Sequence, residues 1–355
     1  SPTASQNKTA QTKSAVSSGA VAATTQQKSP PVRSSASTEI IVSADESGDY
    51  VSINEAIRAA RNGSRISVQP GLYAESLKID KQIEIAGEGA ARNIIVRSPD
   101  ASCVLMQTDR AIIRNLTLQC AAGQAGKEVF GVDVSRGELT LQNCDVSSDS
   151  LACIGVRGQS TNALIRDCLI HDGADSGIYF FDSAAGTIEQ CEIYRNKRAG
   201  VVIAQNANPT FKNCRVFSGE NVGFFVYENG LGTIDDCDIF GHQDAEIAVT
   251  RGGSPVLRGC SIHNSNNSGV FVRDSGRALI EDCSIYENAA AGVAVDGASM
   301  VAVSASRINN NGKVAFRVKG GSIVRVENSD LRGNLLATWD TDAGVQIEKY
   351  GNQEY

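Results

Sequence analysis

Glu228, Arg251 and Asp274 follow one another at equal steps of 23 residues. Two carboxylates flanking a guanidinium are the equipment of glycosidic-bond cleavage, provided the fold holds the carboxyls about 6.5–9.5 Å apart for inversion. If every step brings the chain back to the same place one strand spacing further on, two steps span roughly 9.6 Å, at the edge of that range. The same alternation of sign also neutralises a surface ladder with no chemistry at all. A second and more local group is His242, Asp244 and Glu246 in "GHQDAEI", acid–base residue types packed into one turn. The third is aromatic: Tyr179, Phe181, Phe225, Tyr227 and Phe271, joined by Arg273, offer flat apolar faces of the kind that hold sugar rings or anchor a protein partner.

The elements that position these groups are written in one repeating unit. Cys168, Cys191, Cys214, Cys237, Cys260 and Cys283 stand 23 residues apart, and Ser306 and Ser329 continue the series. Counting the cysteine as zero, an apolar residue recurs at +2 (Ile170, Ile193, Val216), a glycine at +9 (Gly177, Gly200, Gly223) and apolar pairs at +10 and +12 (Ile178/Phe180, Val201/Ile203). Alternation over such short spans means strands with one face inward. Several short strands per repeat, with no hairpin register, predict an all-β fold: a right-handed single-stranded parallel β-helix of about 23 residues per coil. Positions +11 and +13 then face outward and carry the aromatic group, while +14 carries Glu228, Arg251 and Asp274. A further aromatic column at +3, from His171 to Tyr286, reads as a structural stack, and Asn196, Asn288, Asn311 and Asn334 at +5 as a ladder at a bend. Ser52 with Glu55 is a capping-box pattern opening a short helix that plugs the first coil, and residues 335–355, with Trp339, are expected to close the other end as irregular chain.

The cysteines read as small buried filler rather than disulfides, because stacked side chains run parallel at about 4.8 Å. A line of sulfurs lacks the convergence a metal needs, so no metal and no cofactor is expected. Free thiols favour a reducing, cytoplasmic compartment. Residues 1–38, rich in Ser, Thr, Gln and Pro, read as a disordered tail or linker before a domain at 39–355. Removing that tail's four positive charges from the whole-chain −7 leaves −11 on the domain, which argues against nucleic acid as a partner. No run of apolar residues is long enough to span a membrane. The start at Ser1, without methionine or an apolar leader, leaves room for a longer polypeptide.

The opening "SGDYVSINEAIRAARNGSRISVQPGLYAESLKIDKQIEIAGEG" and units such as "GVFVRDSGRALIEDCSIYEN" resemble the right-handed β-helix proteins of the pectin-lyase-like superfamily, with NosD-like or CASH-type repeats. The resemblance implies the β-helix fold, allows a secreted or extracytoplasmic location, and leaves activity open, since the superfamily holds lyases, hydrolases, esterases, epimerases and scaffolds. Gln243-Asp244 is similar to the Gln-Asp of pectin methylesterases, whose later aromatic-rich Asp strand is missing; the Asn-Thr-Asp and Gly-His-Gly of polygalacturonases and the Asp-Pro-His-Asp of alginate epimerases have no counterpart. The function expected from sequence is a non-catalytic carbohydrate-binding or sensing module for an extended polysaccharide, with Tyr179, Phe181, Phe225, Tyr227, Phe271 and Arg273 as the platform. The alternatives are a polysaccharide lyase or hydrolase using Glu228, Arg251, Asp274 or His242, and a protein-interaction scaffold. Equal coils from Cys168 to Ser329 imply a shallow face, with any walled pocket toward an end, near Cys120–Glu128 or after Leu335.

Overall fold

Successive coils lie in register, residue n beside n + 23, as in the run Ile178, Val201, Phe224, Ile247, Val270, Val293. In this computed structural model, which describes residues 39–121 and 129–354, three parallel sheets of 14, 12 and 11 strands wrap into a right-handed β-helix. The tail expected at 1–38 and most of the Cys120–Glu128 segment lie outside the described residues. Each coil contributes a three-residue strand after the cysteine (Leu169–His171), a glycine-led strand (Ile178–Phe181) and a third before the next cysteine (Ala185–Glu189). Phe180, Phe211, Phe224 and Phe316 fill the interior with aliphatic side chains around them.

The bends explain the polar columns. Asn143, Asp167, Gln190, Asn213, Asp236, Asp282 and Asn328, each just before the cysteine column, all have φ between 49° and 56°. That is the left-handed region, where Asn and Asp are the least penalised side chains after glycine. All ten cysteines are free and buried. In the stacked column the thiols of Cys144, Cys168, Cys191, Cys214, Cys237, Cys260 and Cys283 each donate to the carbonyl two residues earlier at 3.1–3.3 Å, and Ser306 and Ser329 make the same bond through oxygen at 2.9 and 2.8 Å. The column therefore asks for a small side chain with one donor, which is why serine can follow cysteine in it. Burial pushes the Cys103 thiol up to about 12, so it is no nucleophile at neutral pH.

The helix Ile53–Ala59 caps the first coil, burying Ile53, Ala56 and Ile57. Ser52 accepts from the Glu55 N–H at 3.3 Å as expected. The reciprocal acid, however, is Glu75, whose carboxylate accepts from the N–H groups of Ile53 and Asn54 at 2.9 Å, while Lys81 donates to the carbonyls of Ile57, Arg58 and Ala60 at 2.7–2.9 Å. Both helix ends are thus satisfied by the coil beneath. At the far end the expectation of irregular chain is corrected. Ala337–Thr341 and Gln346–Tyr350 extend two of the sheets, and Trp339 stacks on Phe316 at 4.7 Å.

The asparagine ladder is the most demanding polar feature. Asn288 accepts from the Ser265 N–H at 3.1 Å and donates to the Ile262 carbonyl at 3.2 Å and to Asn311 at 3.0 Å, all in the buried interior. Asn288→Ala strands a buried N–H and a buried carbonyl. It is expected to lower unfolding free energy by about 2–4 kcal/mol in urea titrations, against less than about 0.5 kcal/mol for Ser284→Ala on the outer face; equal midpoints for the two variants would contradict the ladder's role.

Candidate functional site

The glycine-led sheet carries a groove of about 650 Å³ along the helix axis, running from Phe130 to Arg273. Its depth comes from three outward columns. Position +11 holds Tyr179, Val202, Phe225, Ala248 and Phe271; position +8 holds Ala199, Val222 and Ala245, which with Val202 make a buried apolar floor. Position +7 raises a polar wall of Asp175, Arg198, Asn221, Asp244 and Asn267. The opposite side is built by the Tyr179 and Tyr227 hydroxyls, bonded at 2.8 Å across the intervening coil, whose Val202 and Ala204 are buried. Burial first, then the Tyr227 hydroxyl, pushes the Tyr179 phenol up, so it stays protonated. At the N-terminal end Phe130 closes the groove edge-on to Tyr179 at 6.4 Å. Gly155 admits it: a Cβ there would fall 2.5–2.7 Å from the Phe130 ring.

The expected shallow face is therefore corrected to a walled groove in the middle of the solenoid. Of the sequence-derived platform, Tyr179, Phe225, Tyr227, Phe271 and Arg273 line it. Phe181 does not; it packs against Tyr179 at 4.7 Å and Phe130 at 6.0 Å. Phe130 and the +7 wall went unnoticed in the sequence. The signal for Phe130 was Gly155, a missing side chain at +11, and for the wall the polar run at one fixed position between two strands.

Glu228, Arg251 and Asp274 do stack, but on a turn beyond the groove, all with φ between 46° and 51° and with half-exposed side chains. Arg251 pairs with Glu228 at 3.4 Å and lies over the Tyr227 ring at 4.9 Å, while Asp274 accepts from the Thr250 hydroxyl at 3.1 Å. They form a charge-balanced corner and do not line the groove.

His242, Asp244 and Glu246 are divided between inside and outside. Asp244 stands in the wall, accepting from the Ala245 N–H at 2.9 Å and from Asn267 at 2.8 Å. His242 and Glu246 are buried in the interior, at 1% and 0% exposure. His242 occupies the place of the ladder asparagine. In the next coil that place is held by Ser265, too short to accept the His242 N–H, and the Glu246 carboxylate accepts it instead at 3.1 Å, with a second bond to His242 Nδ1. Gly219 leaves room for the ring, since a Cβ there would sit 2.8 Å from His242 Cδ2. The pair replaces part of the ladder and is closed to a polymer.

The +3 column is a continuous stack from His171 to Tyr286, with centroids 4.7–5.1 Å apart and planes within 15°. Its rings spend their faces on one another and show only edges. The rings at +11 are separated by Val202 and Ala248 and pack instead on their own coil's +13 neighbour, Tyr179 on Phe181 and Phe225 on Tyr227, each at 4.7 Å, while still lining the groove.

Residues 102–258 and 247–353 match the right handed beta helix region family; this is well over half of the chain, and the chain belongs to that family. Pectinesterase 1 of Citrus sinensis is 26% identical over 182 residues, covering 46% of this chain and 30% of that protein. The chain spans well under two thirds of the length of the pectinesterases it matches. The A-module of the Azotobacter vinelandii mannuronan C-5 epimerase AlgE6 superposes with a TM-score of 0.64 at 17% identity, covering 83% of this chain and 93% of the module. The catalytic unit of an α-1,3-glucanase from Streptomyces thermodiastaticus gives 0.56 at 12% identity, covering 91% and 70%. These two likenesses show the shared solenoid. Among the described residues no group of three or more His, Cys, Asp or Glu is arranged for a metal, and no helix is long and apolar enough to cross a membrane.

His171 supplies a pH test of the stack. Its hydrogen bond to Asp145 at 3.0 Å, aided by Asp172, raises its pKa above 6.5 against the opposing effect of burial. A raised folded pKa gives stabilisation that is complete below the unfolded value and fades as pH climbs through the folded one. The stability gap between wild type and His171→Gln is expected to be largest at pH 5.5 and to shrink by pH 9 in urea titrations; a gap constant with pH would show that the imidazolium contributes nothing.

Proposed function

We propose that this β-helix acts on polysaccharide and that the groove of the glycine-led sheet is its working surface. One observation carries the reading: Tyr179, Phe225 and Phe271 line an apolar floor as partly exposed rings, Phe225 backed by Tyr227 at 4.7 Å, beside a wall of hydrogen-bonding side chains. Apolar ring faces bordered by directed polar groups match the amphipathic surface of a sugar chain. The activities that similar proteins are named for, those of a pectinesterase, a mannuronan epimerase and an α-1,3-glucanase, support processing over binding alone.

Paired-carboxylate hydrolysis is not what the groove offers. Its carboxylates, Asp175 and Asp244, are three coils apart, roughly 14 Å by strand spacing, beyond the ~6.5–9.5 Å of an inverting pair. We assign Asp244, oriented by Asn267 and facing the floor between Phe225 and Phe271, as the group that exchanges a proton with bound sugar. The second reading, a non-catalytic binding module, rests on the same lining of rings and hydrogen-bonding side chains, which can hold a sugar chain without chemistry.

Gel retardation and product release would be measured together on a panel of neutral and acidic polysaccharides. Phe225→Ala with Tyr227→Ala is expected to abolish retardation. Asp244→Asn is expected to keep retardation and to lose turnover by about 10²-fold or more. Retardation without turnover in the wild type would leave the binding module standing, and turnover untouched by Asp244→Asn would remove Asp244 from the chemistry.

A further inference from the structure

Along the groove the outward side chains repeat every two coils, not every one. Position +11 alternates a ring with a small residue: Tyr179, Val202, Phe225, Ala248, Phe271, Ala294. At +8 alanine falls in every small coil, as Ala199, Ala245 and Ala291, with Ser176, Val222 and Ser268 between them. At +7 the alternation is partial: Arg198, Asn221, Asp244 and Asn267 alternate charge with amide, but the ring coil of Tyr179 carries Asp175 and the small coil of Ala294 carries Ala290.

The doubling belongs to this face. The inward +10 column is apolar in every coil, from Ile178 through Val293, and the +3 stack has a ring in every coil from His171 to Tyr286. Coil geometry alone therefore imposes no two-coil period. Ridges at Tyr179, Phe225 and Phe271 stand two strand spacings apart, roughly 9.6 Å, with slots floored by Val202 and Ala248 between them. A ring-shaped unit fits a slot between two aromatic ridges, and the next unit must cross a ridge, where at Phe225 and Phe271 the wall partner is an asparagine.

We propose that the groove selects a polysaccharide whose repeat along its own axis is two sugar residues; this rests on the groove being a polysaccharide site. Two kinds of chain have that repeat: copolymers of alternating composition, and homopolymers that form two-fold ribbons. A three-fold or coiled homopolymer would place equivalent sugars out of step with the ridges.

Affinity electrophoresis of the full chain separates these cases. The ligands are hyaluronan and agarose oligosaccharides (alternating), β-1,4-mannan oligosaccharides (two-fold ribbon), polygalacturonate (three-fold) and a β-1,3-glucan (coiled). Tightest retention by one of the first two classes, by about tenfold or more, is expected, and the class that wins identifies the source. Ala248→Phe, which fills a slot at an outward position, is expected to weaken that ligand at least tenfold with circular dichroism unchanged. Because each coil contacts only its neighbours, excision of residues 237–259 should keep the fold yet set Phe225 beside Phe271 and lose retention. Tightest binding to polygalacturonate or the β-1,3-glucan, or full retention by Ala248→Phe, would overturn the two-residue repeat while leaving the polysaccharide reading in place. No retention by any ligand would remove both.

Discussion

Everything in this fold depends on each coil lying in register one strand spacing from the last, residue n beside n + 23 from Asn162 onward. Parallel pairing at about 4.8 Å turns each sequence position into a column of like side chains in a shared environment. A column succeeds only if its side chain tolerates a copy of itself above and below. Apolar residues do so at +2, +10 and +12, flat rings at +3, and carboxamides at +5, where each can donate to one neighbour and accept from another. Thiols and hydroxyls succeed at the zero column because each finds its own backbone carbonyl two residues back. Charges of one sign would fail by repulsion, and the outward charged columns accordingly alternate, as Glu228 and Arg251 do.

The coil of His242 shows how strict the rule is. Replacing one ladder asparagine by histidine leaves the next coil's Ser265 unable to reach its N–H, and the fold answers with Glu246 in a position that is otherwise glycine or another small residue, and with Gly219 one coil earlier. Three positions had to change together to keep one buried N–H paired. Asn196, facing the Gly219 gap, is left with its amide nitrogen unpartnered among the described residues. An acid–base pair in sequence is thus a packing solution in space, and only Asp244 between them reaches the groove.

Much of the fold was legible in the sequence because a repeat multiplies every weak local signal. Cys168 to Ser329 set the coil length, and Gly177, Gly200 and Gly223 marked where the chain turns into the second sheet. The outward direction of Tyr179, Phe225 and Phe271 was legible for the same reason, since +11 must point outward if +10 and +12 point in. What escaped was anything set by the bend angle between sheets. Whether +7 stands up as a wall or lies flat depends on how sharply the chain turns between His171 and Ile178, which alternation does not encode. Ala204 and Thr250 at +13 are buried although formally outward, because the Tyr179–Tyr227 bridge covers the first and the corner around Asp274 holds the second. The final strands were missed because residues 335–355 lack the cysteine and glycine that mark the other coils, yet backbone pairing alone carries the sheets on to Tyr350.

The division of labour between inside and outside decides where function can reside. Interior columns are constrained by stacking in every coil, so they are free to say very little about a ligand. Outward columns pack only against their neighbours on the same face and can vary from coil to coil at small cost to the fold. Two faces used that freedom differently. At +3 it was spent on uninterrupted stacking from His171 to Tyr286, which stiffens the sheet and leaves no ring face exposed. At +11 small residues were interposed, which gives up ring–ring contact between Phe225 and Phe271 and opens a slot over Ala248. In exchange the +11 rings pack on +13 neighbours and on the apolar floor, Phe225 against Tyr227 at 4.7 Å, so the same outward freedom that built a closed stack at +3 builds an open groove here.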